Sequence, residues 1–160
     1  LPVNRHWELY LPVMTVAAFV MGASLHHMRE VAQSLRIVTV CVVAIGLALL
    51  GFALSGSHLA AFGVAAAVFF SAFNLLEAAL PSLVSRLAPG HLRGAAMGAY
   101  STSQFIGAFV GGALGGIALG RLGPDGVFAC AAAFTVLWLP LVIVGSRRIG
   151  RQATGEAQPA

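Results

Sequence analysis

The sequence has no lysine and few acids, and these absences bound the protein before any motif does. Charged residues make up 9% of the 160-residue chain and apolar residues 59%, against about 25% and about 45–50% in soluble domains. A globule of this composition has too few polar groups to cover its surface. In a bilayer the composition is ordinary, because the solvent is itself hydrocarbon. Cysteine is scarce too. Cys41 and Cys130 both lie deep in apolar windows, where they read as small packing residues rather than a disulfide. No secretory signal peptide is visible, and the opening Leu1-Pro2-Val3 without methionine reads as a cut rather than a natural start.

What the chain does have is long apolar runs. A helix needs about 20 apolar residues to cross about 30 Å of hydrocarbon at about 1.5 Å per residue. Windows of that kind fall near 7–25, 36–54, 59–80, 95–119 and 127–144. They are apolar on every face and lack two-residue alternation, which favours helices over a barrel. The expected fold is therefore an all-α integral membrane bundle of about five transmembrane helices over residues 1–146, followed by a polar tail at 147–160, disordered from Arg151 onward.

Every basic residue is arginine, and their placement gives an orientation. Arg29 and Arg36 bracket the first loop, Arg86 and Arg93 the third, and Arg147, Arg148 and Arg151 follow the last span. Only Arg5 and Arg121 fall on the other side. By the positive-inside rule this puts the N-terminal end outside and the tail in the cytoplasm, with Trp7 and Tyr10 in an outer aromatic belt. The basic balance thus reflects topology. Nucleic-acid binding would need a clustered basic face with aromatic or polar readers, which the sequence does not supply.

The spans differ in character. The second is nearly featureless and reads as scaffold, and the fifth reads as peripheral scaffold. The third carries Asn74 and Glu77 ahead of Pro81. The fourth is the richest in glycine, with Gly107, Gly111 and Gly115 on one four-residue ladder and Gly112 and Gly116 on another. Such spacing puts glycines on one helical face, where a second backbone can approach closely, so these positions are helix-packing candidates.

Glu77 is the only acid deep within an apolar window. An intramembrane carboxylate is costly and often marks an ion or proton path. Asn74, three residues earlier, shares its helical face. Two readings stay open: a proton-coupling group, or a structural latch in which Arg86 or Arg93 pairs with Glu77. A substrate contact or a solvated helix end would also fit. Tyr100, Ser101, Ser103 and Gln104 make the first half of the fourth span polar, as a cavity lining or as interhelical hydrogen-bonding glue. Gln104 is the best cavity candidate among them.

Other chemistry is poorly served. His26 and His27 are adjacent and point to different faces with no third ligand at a useful spacing, so they read as a membrane-edge cluster rather than a metal site. The glycine runs lack the Lys-Ser/Thr of a phosphate loop, and no cofactor motif appears. The histidines sit in loops or at window ends, leaving the serines without a buried base, which argues against a membrane enzyme.

At the third and fourth spans the pattern becomes that of a family. The run 73–86, with Asn74, Glu77, Pro81 and Arg86, leads into 94–107, with Tyr100, Ser101, Gln104 and Gly107, and then into 111–116 with its paired glycines. This resembles the tenth and eleventh helices of major facilitator superfamily transporters, in a YajR-like bacterial branch of drug or sugar efflux proteins. The segment 7–30 is similar to the eighth helix and its loop. The resemblance spans roughly residues 2–145, and implies helices eight to twelve of a twelve-helix protein. The family's acidic-basic loop motif is poorly kept in His27-Met28-Arg29-Glu30-Val31. What the resemblance implies is proton-coupled export of small molecules by alternating access, in a bacterial inner membrane. The N-terminal half and seventh helix would be partners supplied from elsewhere. A rival expectation is a non-transporting membrane scaffold that packs through its glycine faces.

Overall fold

The computed structural model describes residues 7–25, 30–56 and 58–155. Helices α1 (Trp7–Leu25), α2 (Val31–Leu54) and α3 (Leu59–Leu87) are followed by a single 3-10 turn, Gly90–Leu92, and a long helical run, Arg93–Gly155. At about 1.5 Å per residue such a run would extend about 95 Å, some three times the hydrocarbon thickness. It is not one rod. Gly123, with φ 71 and ψ −178, breaks the helix and divides it into α4 (93–122) and α5 (124–155). That backbone region is open essentially to glycine alone. Pro124 follows it with the φ that suits the first position of a new helix. Gly126 sits so close to Leu122 that a Cβ there would collide with the leucine.

Helix directions follow from the contacts. Gly51 lies against Ala65, while Ser34 meets Arg86, so α2 and α3 run antiparallel. Gly46 lies against Thr135 and Thr39 meets Ser146, so α2 and α5 are antiparallel too. The odd-numbered helices run one way and α2 and α4 the other. That is the arrangement short connections impose on a membrane bundle. The chain is a multi-pass membrane protein, with helices long and apolar enough to cross.

Three element boundaries differ from the sequence windows, each for a visible reason. First, α2 begins at Val31 rather than near 36 and takes in the polar Gln33 and Ser34. The Ser34 hydroxyl donates to the Glu30 carbonyl at 2.9 Å and so needs no solvent. Next, α3 runs through Pro81 to Leu87, closing where the Ala88 N–H donates to the Val84 carbonyl and Pro89 follows. A proline inside a helix removes one backbone donor without necessarily ending the helix. Finally, the polar tail expected to be disordered is helical as far as Gly155. Arginine is a good helix former, and no proline interrupts the end of α5.

Helix α2 is the hub, packed against α3 on one side and α5 on the other. At one end Leu49 and Phe52 of α2 bury against Val13, Ala65, Ala66 and Ala132. The ring of Phe52 is 4.8 Å from that of Phe62 and 4.9 Å from that of Phe128. At the other end Leu35 and Val38 bury against Ala79 and Leu83, with Val142 and Ile149 of α5 alongside. Cys41, Ala72 and Leu75 fill the middle. No described residue of α4 belongs to these clusters.

The α4 glycines find no partner among the described residues. A Cβ built at Gly107, Gly111, Gly112, Gly115 or Gly116 meets nothing within 4 Å among the described residues. The close approaches lie elsewhere. A Cβ at Gly51 would come 3.2 Å from the Ala65 Cβ, and one at Gly46 3.3 Å from the Thr135 methyl. These glycines occupy the points where α2 crosses its two neighbours, so the featureless second span is the tightly packed one. The glycine ladders of α4 face space that the described residues do not fill.

Candidate functional site

The polar candidates of α3 and α4 meet across one interhelical contact. The Gln104 side-chain amide donates to Oε1 of Glu77 at 2.8 Å. The register follows from the tight 88–92 connection, which folds α4 back along α3 and brings these two turns side by side. Tyr100 lies one turn before Gln104 on the same face, half-buried and within electrostatic reach of the Glu77 carboxylate. Ser101 is half-buried three residues before Gln104, and Asn74 is half-buried three residues before Glu77. Neither Asn74 nor Ser101 has a side-chain hydrogen bond among the described residues, leaving their donors and acceptors open. Ser103 turns its hydroxyl back to the Ala99 carbonyl at 2.8 Å, which satisfies it within its own helix.

Glu77 has a second peculiarity. In an α-helix its backbone carbonyl would accept from the N–H four residues on, but that position is Pro81. The carbonyl therefore lacks its usual donor. Acceptor capacity is thus concentrated at one residue: a carboxylate with an open oxygen and a carbonyl without its usual intrahelical partner.

The arginines are engaged otherwise than expected of a latch. Nη2 of Arg86 donates to the Ser34 hydroxyl at 2.8 Å, and its Nε reaches the Ser82 carbonyl at 3.3 Å. This ties the end of α3 to the start of α2. The Glu77 carboxylate is held by the Gln104 amide rather than by Arg86 or Arg93, which lies exposed at the start of α4. Arg29 lies outside the described residues.

Sequence reasoning singled out Glu77 and Gln104 separately and did not find Ser34, which is completely buried and partners Arg86. A serine in a stretch read as loop gives little signal; its helical position and the arginine opposite emerge only from the packing of α2 on α3. Among the described residues no three metal-ligating side chains gather. The site's chemistry is that of a carboxylate, an amide, a phenol and a hydroxyl along one interhelical seam. Such a set can exchange a proton and hydrogen-bond a polar or cationic solute.

A multi-pass α-helical bundle with a carboxylate hydrogen-bonded between two of its helices is the architecture of a polytopic membrane protein with a polar interhelical seam. The chain belongs to the Major Facilitator Superfamily, whose pattern it matches over residues 9–159. It is 36% identical over 138 residues to the Inner membrane transport protein YajR of Escherichia coli, a match covering 86% of this chain and 30% of that protein. An uncharacterized transporter of Buchnera aphidicola from Acyrthosiphon pisum is 30% identical over 109 residues, covering 68% of this chain and 28% of its own length. A second, from the Baizongia pistaciae strain, is 38% identical over 71 residues, covering 44% of this chain and 18% of its own length. The chain thus spans less than a third of the length of the curated relatives it matches.

Proposed function

We propose that this chain is part of a secondary active transporter, its helices standing eighth to twelfth in a twelve-helix protein that exports small molecules by alternating access. The family and the names of its relatives support transport rather than catalysis. The observation that carries the finer reading is the Glu77–Gln104 contact. A carboxylate in a membrane span can take up and release a proton, and its bond to a neighbouring helix gives that event a mechanical consequence. Protonation removes the charge that strengthens the bond, since charge-assisted hydrogen bonds are about twice as strong as neutral ones. Proton exchange at Glu77 would then loosen or tighten α4 against α3, while Asn74, Tyr100 and Ser101 offer the polar lining a solute needs. Two halves rocking around a midplane site would convert this into transport. The other half and the seventh helix come from outside this chain.

The arginine distribution supports a cytoplasmic tail and an outward N-terminal end in a bacterial inner membrane. The glycine ladders of α4 are free, within this chain, for a moving contact with the absent half.

The test uses the full-length protein in proteoliposomes, screened for small molecules whose flux follows an imposed pH gradient. Glu77→Gln should abolish gradient-driven flux while substrate exchange without a gradient persists. Unchanged flux with unchanged pH dependence would exclude the proton role. Loss of folded protein instead would assign Glu77 a structural one.

A further inference from the structure

Away from the Glu77 seam, an open groove of about 720 Å³ lies between the start of α2 and the end of α5. Three arginines line it, Arg36 from α2 and Arg147 and Arg151 from α5, and among the described residues no acidic one does. Its floor carries a hydroxyl pair, Thr39 Oγ1 and Ser146 Oγ 3.3 Å apart, with the Thr39 hydroxyl donating to the Leu35 carbonyl at 3.0 Å. The rest of its lining is apolar, with Leu35, Val40 and Ile143 prominent.

Each helix leads into this groove along an exposed apolar stripe. On α2, Leu54, Leu50, Leu47, Val43 and Val40 are exposed at alternating four- and three-residue steps, and the next step is Arg36. On α5, Leu137, Leu141 and Val144 are exposed in the same way, and the next steps are Arg147 and Arg151. Because α2 and α5 are antiparallel, the two stripes end in arginine at the same level of the membrane. An apolar trough running to a basic head at the bilayer edge matches one molecule, a phospholipid with a negatively charged headgroup. Basic pockets between membrane helices on the cytoplasmic side bind such headgroups.

We propose that this groove is a binding site for an anionic phospholipid of the phosphatidylglycerol type. Arg36 and Arg147 hold the phosphate, with Arg151 adding positive charge at the rim; the Thr39–Ser146 hydroxyls meet the glycerol oxygens, and an acyl chain runs along Val40. Charge complementarity selects this occupant: a zwitterionic lipid brings an ammonium group into a site that already holds three guanidinium groups.

The experiment is native mass spectrometry of the full-length transporter released from detergent containing equal phosphatidylglycerol and phosphatidylethanolamine. The unaltered protein should retain phosphatidylglycerol at least fivefold over phosphatidylethanolamine; equal retention overturns the proposal and depends on no variant folding. Each arginine near an anionic surface is worth roughly fivefold in binding. The double variant Arg36→Gln/Arg147→Gln should therefore lower phosphatidylglycerol retention by about 25-fold. Arg148→Gln, which removes the same charge beside the groove, should leave it intact. A double variant that retains the lipid as the unaltered protein does overturns the assignment. So does displacement of the lipid by millimolar inorganic phosphate, which marks a soluble-anion site. A photo-crosslinker at Val40 that captures the transporter's own polypeptide instead of phosphatidylglycerol also overturns it.

Discussion

Replacing Phe52 by alanine tests what holds this bundle together. The ring is 7% exposed and sits 4.8 Å from Phe62, 4.9 Å from Phe128 and 6.0 Å from Phe69. In a water-soluble core Phe→Ala costs about 3–5 kcal/mol, part of it the free energy of moving the ring out of water. That part is absent when the unfolded reference is a helix in lipid, because lipid tails are as apolar as leucine. What remains is packing. Each close aromatic pair is worth about 0.5–1.5 kcal/mol beyond area burial, so losing the two nearest pairs should cost about 1–3 kcal/mol. The measurement is reversible unfolding of the full-length protein in mixed micelles, comparing Phe52→Ala with the unaltered protein. Leu54→Ala, on the exposed stripe of α2, serves as the control and should change stability by less than about 0.5 kcal/mol. A loss above about 4 kcal/mol for Phe52→Ala would falsify the lipid-reference argument, because it would mean that water reaches this end of the bundle when it unfolds. A loss no larger than that of the control would mean that the ring cluster contributes no packing.

Two further outcomes follow from the glycines. Gly123→Ala forces a Cβ into a left-handed, extended conformation and should cost about 1–3 kcal/mol, read as a lowered thermal midpoint of the full-length protein; an unchanged midpoint would show that the turn is not built this way. Gly111→Leu fills space that no described residue occupies, so it should leave the α1–α3 packing alone yet disrupt transport by the complete protein. Normal transport by that variant would show that no helix closes on this face.

Much of this was legible because bilayer physics is strict. A span must be long and apolar, so an all-helical membrane bundle could be read from the apolar windows, and a carboxylate within one stood out. Glu77 and Gln104 each stood out as polar residues where polarity is costly. Their contact did not, because it depends on how α4 folds back along α3, a register set by the 88–92 turn. The glycines show the limit more sharply. The four-residue ladder of α4 is a conspicuous pattern and meets nothing within 4 Å among the described residues, whereas Gly46 and Gly51 form no ladder and sit at the close crossings. Periodicity marks a face able to pack; only the crossing points decide which glycines do. Element ends were obscured for a related reason. Ser34 looks like a loop residue until its hydroxyl is seen bonded to the carbonyl of Glu30, and Pro81 looks like a stop until α3 continues past it.

The slight attachment of α4 has a consequence in populations. Among the described residues its one side-chain hydrogen bond to another helix runs from Gln104 to Glu77. Interhelical hydrogen bonds in membranes average about 0.6 kcal/mol and reach about 1.7, which is one to three times the thermal energy. A link of that size is open for between about a quarter and about a twentieth of the time. Open and closed forms of this contact would then both be populated without any input of energy, while the 88–92 turn and the Gly123 kink keep α4 beside α3 and α5.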